Sequence, residues 1–305
     1  MPSVPDVWYA HRGLHDAGSG LTPEYAAHSG EYVALARRCA LRAGYGTADF
    51  SGSIAPENSL AAFAAACEAG FGIELDVQLT KDGRVVVVHD DNLLRVAGDP
   101  RKIADLTYEE LSRIPLFPAP AKPGDAEAAP VADPVAAAQF APQGYYQHVP
   151  LFVDVLRVIA GRVPVIVEYK FTDNAAWGER ADELMEKGDQ LLQAYDGPYV
   201  IESFHPGAVN WYKEHRPEVC RGQLAEPASL TGTGVKEWLA GLLAFDWISR
   251  PDFVAFDWQG GPLSAAAGRT LDGRDTGVVD GSQRGRTRRM RPVFRPPHLR
   301  VVRSG

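Results

Sequence analysis

Glu74 and Asp76 stand two residues apart within Gly72–Leu79, a stretch whose composition reads as a strand. Side chains two apart on a strand point to one face, so the two carboxylates share it. Glu168 and Lys170 repeat that spacing at the end of a second predicted strand, over Val163–Tyr169. Charges on an inner strand face are costly unless they bind something. Carboxylates from Glu74, Asp76 and Glu168 converging on one point suit a hard divalent cation with oxygen ligands, Ca²⁺ or Mg²⁺. The alternative use of such residues is a buried ion-pair cluster with Arg12 and Lys170. Those two cations suit a phosphate, Arg12 by its fork and Lys170 as a point charge. His11 and His89 add two groups that titrate near neutrality, as a general acid and a general base require. Metal, cations and two histidines together spell metal-assisted phosphoryl transfer.

Groups so distant in the chain meet only if the intervening elements bring them together. Val7–Ala10 is β-prone and stops at His11-Arg12-Gly13. Helical spacing recurs over Glu31–Ala43, and Pro56-Glu57-Asn58-Ser59 opens a helix that Gly70 ends. The strand Gly72–Leu79 leads through a Lys81-Asp82-Gly83 turn to a strand over Val85–Val88, which ends at His89-Asp90. After a short capped helix at Thr107–Leu111 the pattern predicts alternation. Helices fall over Leu151–Ala160, Trp177–Tyr195, Pro206–His215 and Val235–Phe245, and strands over Val163–Tyr169, Tyr199–Ser203, Arg221–Ala225 and Phe253–Trp258. Such alternation implies a parallel sheet covered by helices. The nearest closed solution is an α/β (β/α)₈ TIM-type barrel, here lacking or distorting its last β/α unit. In that fold reactive residues sit at strand C-terminal ends, where His11, Arg12, Glu74, Asp76, His89, Glu168 and Lys170 all fall.

The expected barrel domain spans residues 1–268, with insertions at about 14–55 and 118–147. The second insertion is so rich in Pro and Ala that it reads as a surface excursion. The first leaves the strand end that carries His11, so we expect it to form a lid over the site. From Arg269 to Gly305 there are ten arginines, no lysine and three acids, against 21 basic and 36 acidic residues before it. That tail lacks any strand-plus-helix pattern and is expected to be disordered, leaving the edge beside the first strand open. Its lysine-free Gly/Arg composition is what a shifted reading frame in GC-rich DNA produces.

The net charge of −8 over 305 residues argues against a general nucleic-acid binder. No run approaches the ~20 apolar residues of a membrane helix, so stable membrane insertion is not expected. Three scattered cysteines exclude a disulfide scaffold and a thiolate zinc motif. Met1–Ala10 is too short and too acidic for a secretory signal. The expected setting is a reducing, cytoplasmic one, and the sequence leaves the oligomeric state open.

His11-Arg12-Gly13, Pro56-Glu57-Asn58-Ser59, Glu74-Leu75-Asp76-Val77 and Val88-His89-Asp90 occur in the order of the glycerophosphodiester phosphodiesterases. The resemblance continues through Val167-Glu168-Tyr169-Lys170 and Glu202-Ser203-Phe204-His205-Pro206, and covers roughly Val7 to Trp258. It implies a barrel that hydrolyses a small-molecule glycerophosphodiester to sn-glycerol 3-phosphate and an alcohol. It also implies His11 and His89 as the acid/base pair, with Ca²⁺ or Mg²⁺ on Glu74, Asp76 and Glu168. Arg12 would hold the phosphate with Lys170 beside it, and Glu57 and Asn58 would support the polar network. Phospholipase D-like action on lysophospholipids is a rival reading, and so is a catalytically silent barrel whose final unit is missing. Glu202 either extends the site or faces solvent, and His205 is structural or lines the substrate. Trp258 either stacks on substrate or packs in the core. His15, His28, His148, His215 and His298 are read as loop or exposed residues without a role.

Overall fold

The first strand, β1 (Trp8–His11), is short because Arg12 and Gly13 turn the chain away with φ of 57° and 79°. The computed structural model describes residues 4–19, 21, 26–117, 147–171, 177–225, 249–256 and 299–301. Helices α1 (Ala26–Arg42) and α2 (Leu60–Ala69) then lead to β2 (Gly72–Leu79). Ser59 caps α2 by accepting from the Ala62 N–H, and Gly70 at φ 73° ends it as a left-handed cap.

A tight turn with Gly83 at φ 70° folds the chain back into β3 (Val85–Val87), which runs antiparallel to β2. Here the structure corrects the expectation of a third parallel barrel strand, because so short a turn can only reverse the chain. The excursion that follows holds β4 (Asn92–Leu93), α3 (Leu94–Ala97), β5 (Asp99–Lys102) and α4 (Tyr108–Leu111). It packs on its own apolar cluster of Val86, Val88, Leu93, Val96, Ile103 and Leu111. Neither β4 nor β5 is legible in the periodicity.

Regular alternation resumes with α5 (Phe152–Ile159), β6 (Val165–Tyr169), α6 (Glu179–Gln193), β7 (Tyr199–Ser203), α7 (Pro206–His215), β8 (Arg221–Ala225) and β9 (Phe253–Phe256). Strands β1, β2, β6, β7, β8 and β9 pair in that order, all parallel. This is the curled sheet of a TIM-type barrel that is incomplete. The outward faces of the strands (Ile73, Leu75, Val77, Val165, Val167, Ile201) pack under the helices. The inward faces (Tyr9, Ile166, Val200, Cys220) form a second apolar layer with Val4. Gly72 is needed inside, since a Cβ there would stand 2.6 Å from the Tyr9 ring.

The tail departs from expectation at one point. Leu299–Val301 forms β10, antiparallel to β1, with Tyr9 opposite Arg300. The edge beside β1 is therefore not left open, because its unpaired amides and carbonyls offer a ladder to any extended segment. An antiparallel strand is not the missing β/α unit, however, and the parallel set still ends at β1. The remainder of the tail, Trp258, the predicted helix at 235–245 and residues 118–146 lie outside the described residues.

The expected lid over residues 14–55 is, in its described part, a packed layer. Tyr32, Ala36, Cys39 and Ala40 of α1 join the core formed with Ala61, Ala62 and Ala65 of α2. Its two ends are tied together by Asp16, whose carboxylate accepts from the backbone N–H groups of Ile54 and Ala55 at 3.0 Å and pairs with Arg37 at 2.8 Å.

Candidate active site

Parallel pairing sets the register that gathers the charged groups. His11 lies opposite Glu74, Asp76 opposite Glu168, and Glu168 opposite Glu202. Register partners point the same way, so these side chains form one belt on the inward face at the strand C-termini. Below it lies the apolar layer of Tyr9, Ile166 and Val200. Glu74, Asp76, Glu168 and Glu202 are all buried.

Two charge patterns share this belt. Glu74, Glu168 and Glu202 each offer an oxygen, and these atoms lie within 4.8 Å of one another. Three buried carboxylates so close repel unless cations sit among them. Lys170 supplies one such charge, with Nζ 2.6 Å from Glu168 Oε1. An all-oxygen, buried donor set of this spacing fits a hard divalent ion. Asp76, also expected as a ligand, stands beside this group with its carboxylate facing two cations and a donor. Lys170 Nζ is 3.3 Å from Oδ1, Arg12 Nε is 3.7 Å from Oδ2, and Asn58 Nδ2 donates to Oδ2 at 2.8 Å. Burial pushes the Asp76 carboxyl up, but Lys170, His89, Arg12 and the Asn58 hydrogen bond outweigh it and hold it well below the usual range. The Lys170 ammonium is correspondingly held on, despite burial, by Glu168 and Asp76.

Arg12 is buried at the turn after β1. Its backbone N–H donates to Glu74 Oε2 at 3.0 Å and its Nη1 to Glu57 Oε1 at 2.9 Å. Its Nε is a buried donor without a hydrogen-bond partner among the described residues. His11 Nε2 stands 3.7 Å from Glu74 Oε2. Asn58, at φ 54°, donates its backbone N–H to the Arg12 carbonyl at 2.9 Å, so the Pro56–Ser59 segment and the His11–Gly13 turn are clasped together.

His89 reaches the belt because β3 returns to it. The Val88 N–H donates to the Asp76 carbonyl at 2.9 Å. The Gln78 amide spans the carbonyls of Val88, His89 and Asp90 at 2.8–3.0 Å. His89 Nδ1 lies 2.6 Å from Asp90 Oδ1. His11, Arg12, Glu57, Asn58, Glu74, Asp76, Glu168 and Lys170 therefore fall in one neighbourhood, and the β3 return brings His89 to it.

Sequence reasoning missed three contributors. Gln78 stands two residues after Asp76 on the same strand and carried no distinguishing signal. Arg95, in α3, grips Glu57 with both Nη atoms at 2.6 and 2.9 Å. His15, read as a loop residue without a role, is fully buried, with its two ring nitrogens 3.0 and 3.1 Å from the Gly13 and Ser19 carbonyls. Its place beside His11-Arg12-Gly13 was the available hint. Glu202 joins the acidic group rather than facing solvent. His205 is a helix cap, its Nδ1 accepting from the Gly207 N–H at 3.0 Å, and its ring packs with Phe171 and Trp177.

Residues 50–241 match the profile of the glycerophosphoryl diester phosphodiesterase family. The match begins after His11 and Arg12, which the 14–55 insertion separates from the rest. The chain is 30% identical over 170 residues to a glycerophosphodiester phosphodiesterase of Bacillus altitudinis, covering 54% of this chain and 59% of that one. It therefore spans well under two thirds of that relative. The fold is similar to that of an Oleispira antarctica phosphodiesterase in complex with the product sn-glycerol-3-phosphate (TM-score 0.50, 20% identity, 83% of this chain and 75% of that one). It is also similar to a glycerophosphoryl diester phosphodiesterase structure from Silicibacter pomeroyi (TM-score 0.52, 18% identity, 84% and 76%). Among the described residues no helix is long and apolar enough to cross a membrane.

Proposed function

Because the chain belongs to the glycerophosphoryl diester phosphodiesterase family, we propose that it hydrolyses glycerophosphodiesters to sn-glycerol 3-phosphate and an alcohol. The observation that carries this reading is the register row Asp76–Glu168–Glu202 beside the His11–Glu74 pair. It sets four carboxylates and a histidine side by side at one end of a barrel, where such folds do their chemistry.

In this reading Glu74, Asp76 and Glu168 hold a Ca²⁺ or Mg²⁺ ion, with Glu202 as a fourth carboxylate in reach. The ion, when bound, lowers the cost of negative charge on the phosphate and glycerol oxygens. Arg12 offers the phosphate its buried Nε–H, a donor without a hydrogen-bond partner among the described residues. Lys170 is held charged beside it. One of His11 and His89 takes the proton from the attacking hydroxyl as the new P–O bond forms. The other gives a proton to the alcohol oxygen as the old P–O bond breaks.

Release of glycerol 3-phosphate from glycerophosphocholine, assayed with EDTA and after Ca²⁺ or Mg²⁺ add-back, tests the reading. Metal-dependent release supports it. No release from any glycerophosphodiester by the folded protein refutes it.

A further inference from the structure

We propose that Arg95 is a positioning residue for His89, joining that histidine to Arg12 through the chain His89–Asp90–Arg95–Glu57–Arg12. The inference rests on the proposed hydrolysis for its functional meaning, but its geometry stands on its own contacts.

Each link is a charge-assisted hydrogen bond. His89 Nδ1 meets Asp90 Oδ1 at 2.6 Å, and Asp90 Oδ2 accepts from Arg95 Nε at 2.7 Å. Arg95 Nη2 and Nη1 then donate to Glu57 Oε1 and Oε2 at 2.6 and 2.9 Å, and Arg12 Nη1 donates to the same Oε1 at 2.9 Å. The fork of Arg95 thus spends three nitrogens on two carboxylates, a planar match that a lysine cannot copy. The Ser19 backbone N–H adds a further donor to Glu57.

The chain has a direction. Glu57 is buried and anchored to the turn that carries Arg12, whereas His89, Asp90 and Arg95 are partly exposed. Asp90 is a neighbour of His89 in sequence on an irregular stretch, and alone it would leave the pair free to turn. Clamped by Arg95 to the buried Glu57, the Asp90 carboxylate is fixed on both of its oxygens. It remains an anion despite the burial that opposes this, through its bonds to His89 and Arg95. An anion there must accept, so Nδ1 carries the hydrogen and Nε2 is the nitrogen left to exchange a proton with substrate. A carboxylate that accepts from Nδ1–H fixes a catalytic histidine's tautomer and ring orientation.

A double-mutant cycle tests this. With glycerophosphocholine, Arg95→Ala should lower kcat by roughly 10- to 100-fold with KM little changed. In the His89→Ala background it should lower kcat no further, because the histidine it orients is gone. Arg95→Lys should recover only part of the loss. A second full-sized loss in the His89→Ala background would overturn the proposal, as would unchanged kcat in folded Arg95→Ala. Asp90→Asn, which breaks the chain without touching Glu57, repeats the cycle should Arg95→Ala fail to fold. Nitrogen-15 NMR of the His89 ring supplies a readout without turnover. The wild type should hold Nδ1–H, and Arg95→Ala should mix the two tautomers. If the wild type has no phosphodiesterase activity, the proposed reaction fails while the NMR outcome still decides the role of Arg95 in holding His89. An unaltered tautomer in Arg95→Ala would refute that role.

Discussion

Arg12 and Asn58 both occupy the left-handed backbone region, and the Asn58 N–H donates to the Arg12 carbonyl at 2.9 Å. Non-glycine residues pay for that conformation, and they persist in it when surrounding contacts over-determine them. Here the contacts are those of the charged belt. The Arg12 N–H reaches Glu74, and the Asn58 side chain reaches Asp76.

Strain and hydrogen bonding at Asn58 can be separated. Asn58→Gly removes the Asp76 bond but suits φ 54°, whereas Asn58→Ala loses the bond and keeps the strain. Urea unfolding should find the Ala variant less stable than the Gly variant by about 1 kcal/mol, with both below wild type. Equal stability of the two would remove strain from the account.

Glu57 makes stability sensitive to acid. Burial raises its carboxyl, but the bonds from Arg95 and the charges of Arg12, Arg95 and His15 outweigh this and bring it down to about 2 from 4.5. A depressed folded-state value stabilises the protein above the unfolded one and is lost as pH falls through the folded one. Glu57→Gln should therefore unfold at lower temperature than wild type above about pH 5. The gap, at most about 3 kcal/mol, should close toward pH 2. A gap independent of pH across that window would show that the charge of Glu57 is not what stabilises the fold.

The two histidines should be separable from the fold. His11→Ala and His89→Ala are each expected to lower kcat roughly 10²- to 10⁴-fold on glycerophosphocholine while thermal unfolding stays near wild type. Near-normal turnover by either variant would take that histidine out of the mechanism.

Glu202 is the acidic group that sequence left undecided, and calorimetry of Ca²⁺ binding decides its part. With its oxygen inside the 4.8 Å cluster, Glu202→Gln should weaken binding by roughly tenfold or more. Unchanged affinity in that variant would assign Glu202 to the ion-pair network alone.

Much of this molecule was legible in its residues. The strands Gly72–Leu79, Tyr199–Ser203 and Arg221–Ala225 fall where the pattern placed them, as does the helix Pro206–His215. Strand periodicity and helix-opening Pro are local signals, and local sterics decide them. The shared face of Glu74 and Asp76 followed from the same two-residue period. What no local signal carries is which distant group a side chain meets. The Lys81-Asp82-Gly83 turn is short enough to reverse the chain by itself, yet only the paired strands show that the return brings His89 beside the Asp76 end of β2. Arg95 sits in a four-residue helix with nothing to mark it, and its partner Glu57 is 38 residues away. The pairing of Leu299–Val301 with β1 likewise depends on an unpaired edge that exists only once the sheet has formed. Register set the carboxylates side by side: Glu202 entered the acidic group because β7 aligns it with Glu168. Hydrogen bonding between strands fixes that alignment, and a single strand read alone does not contain it.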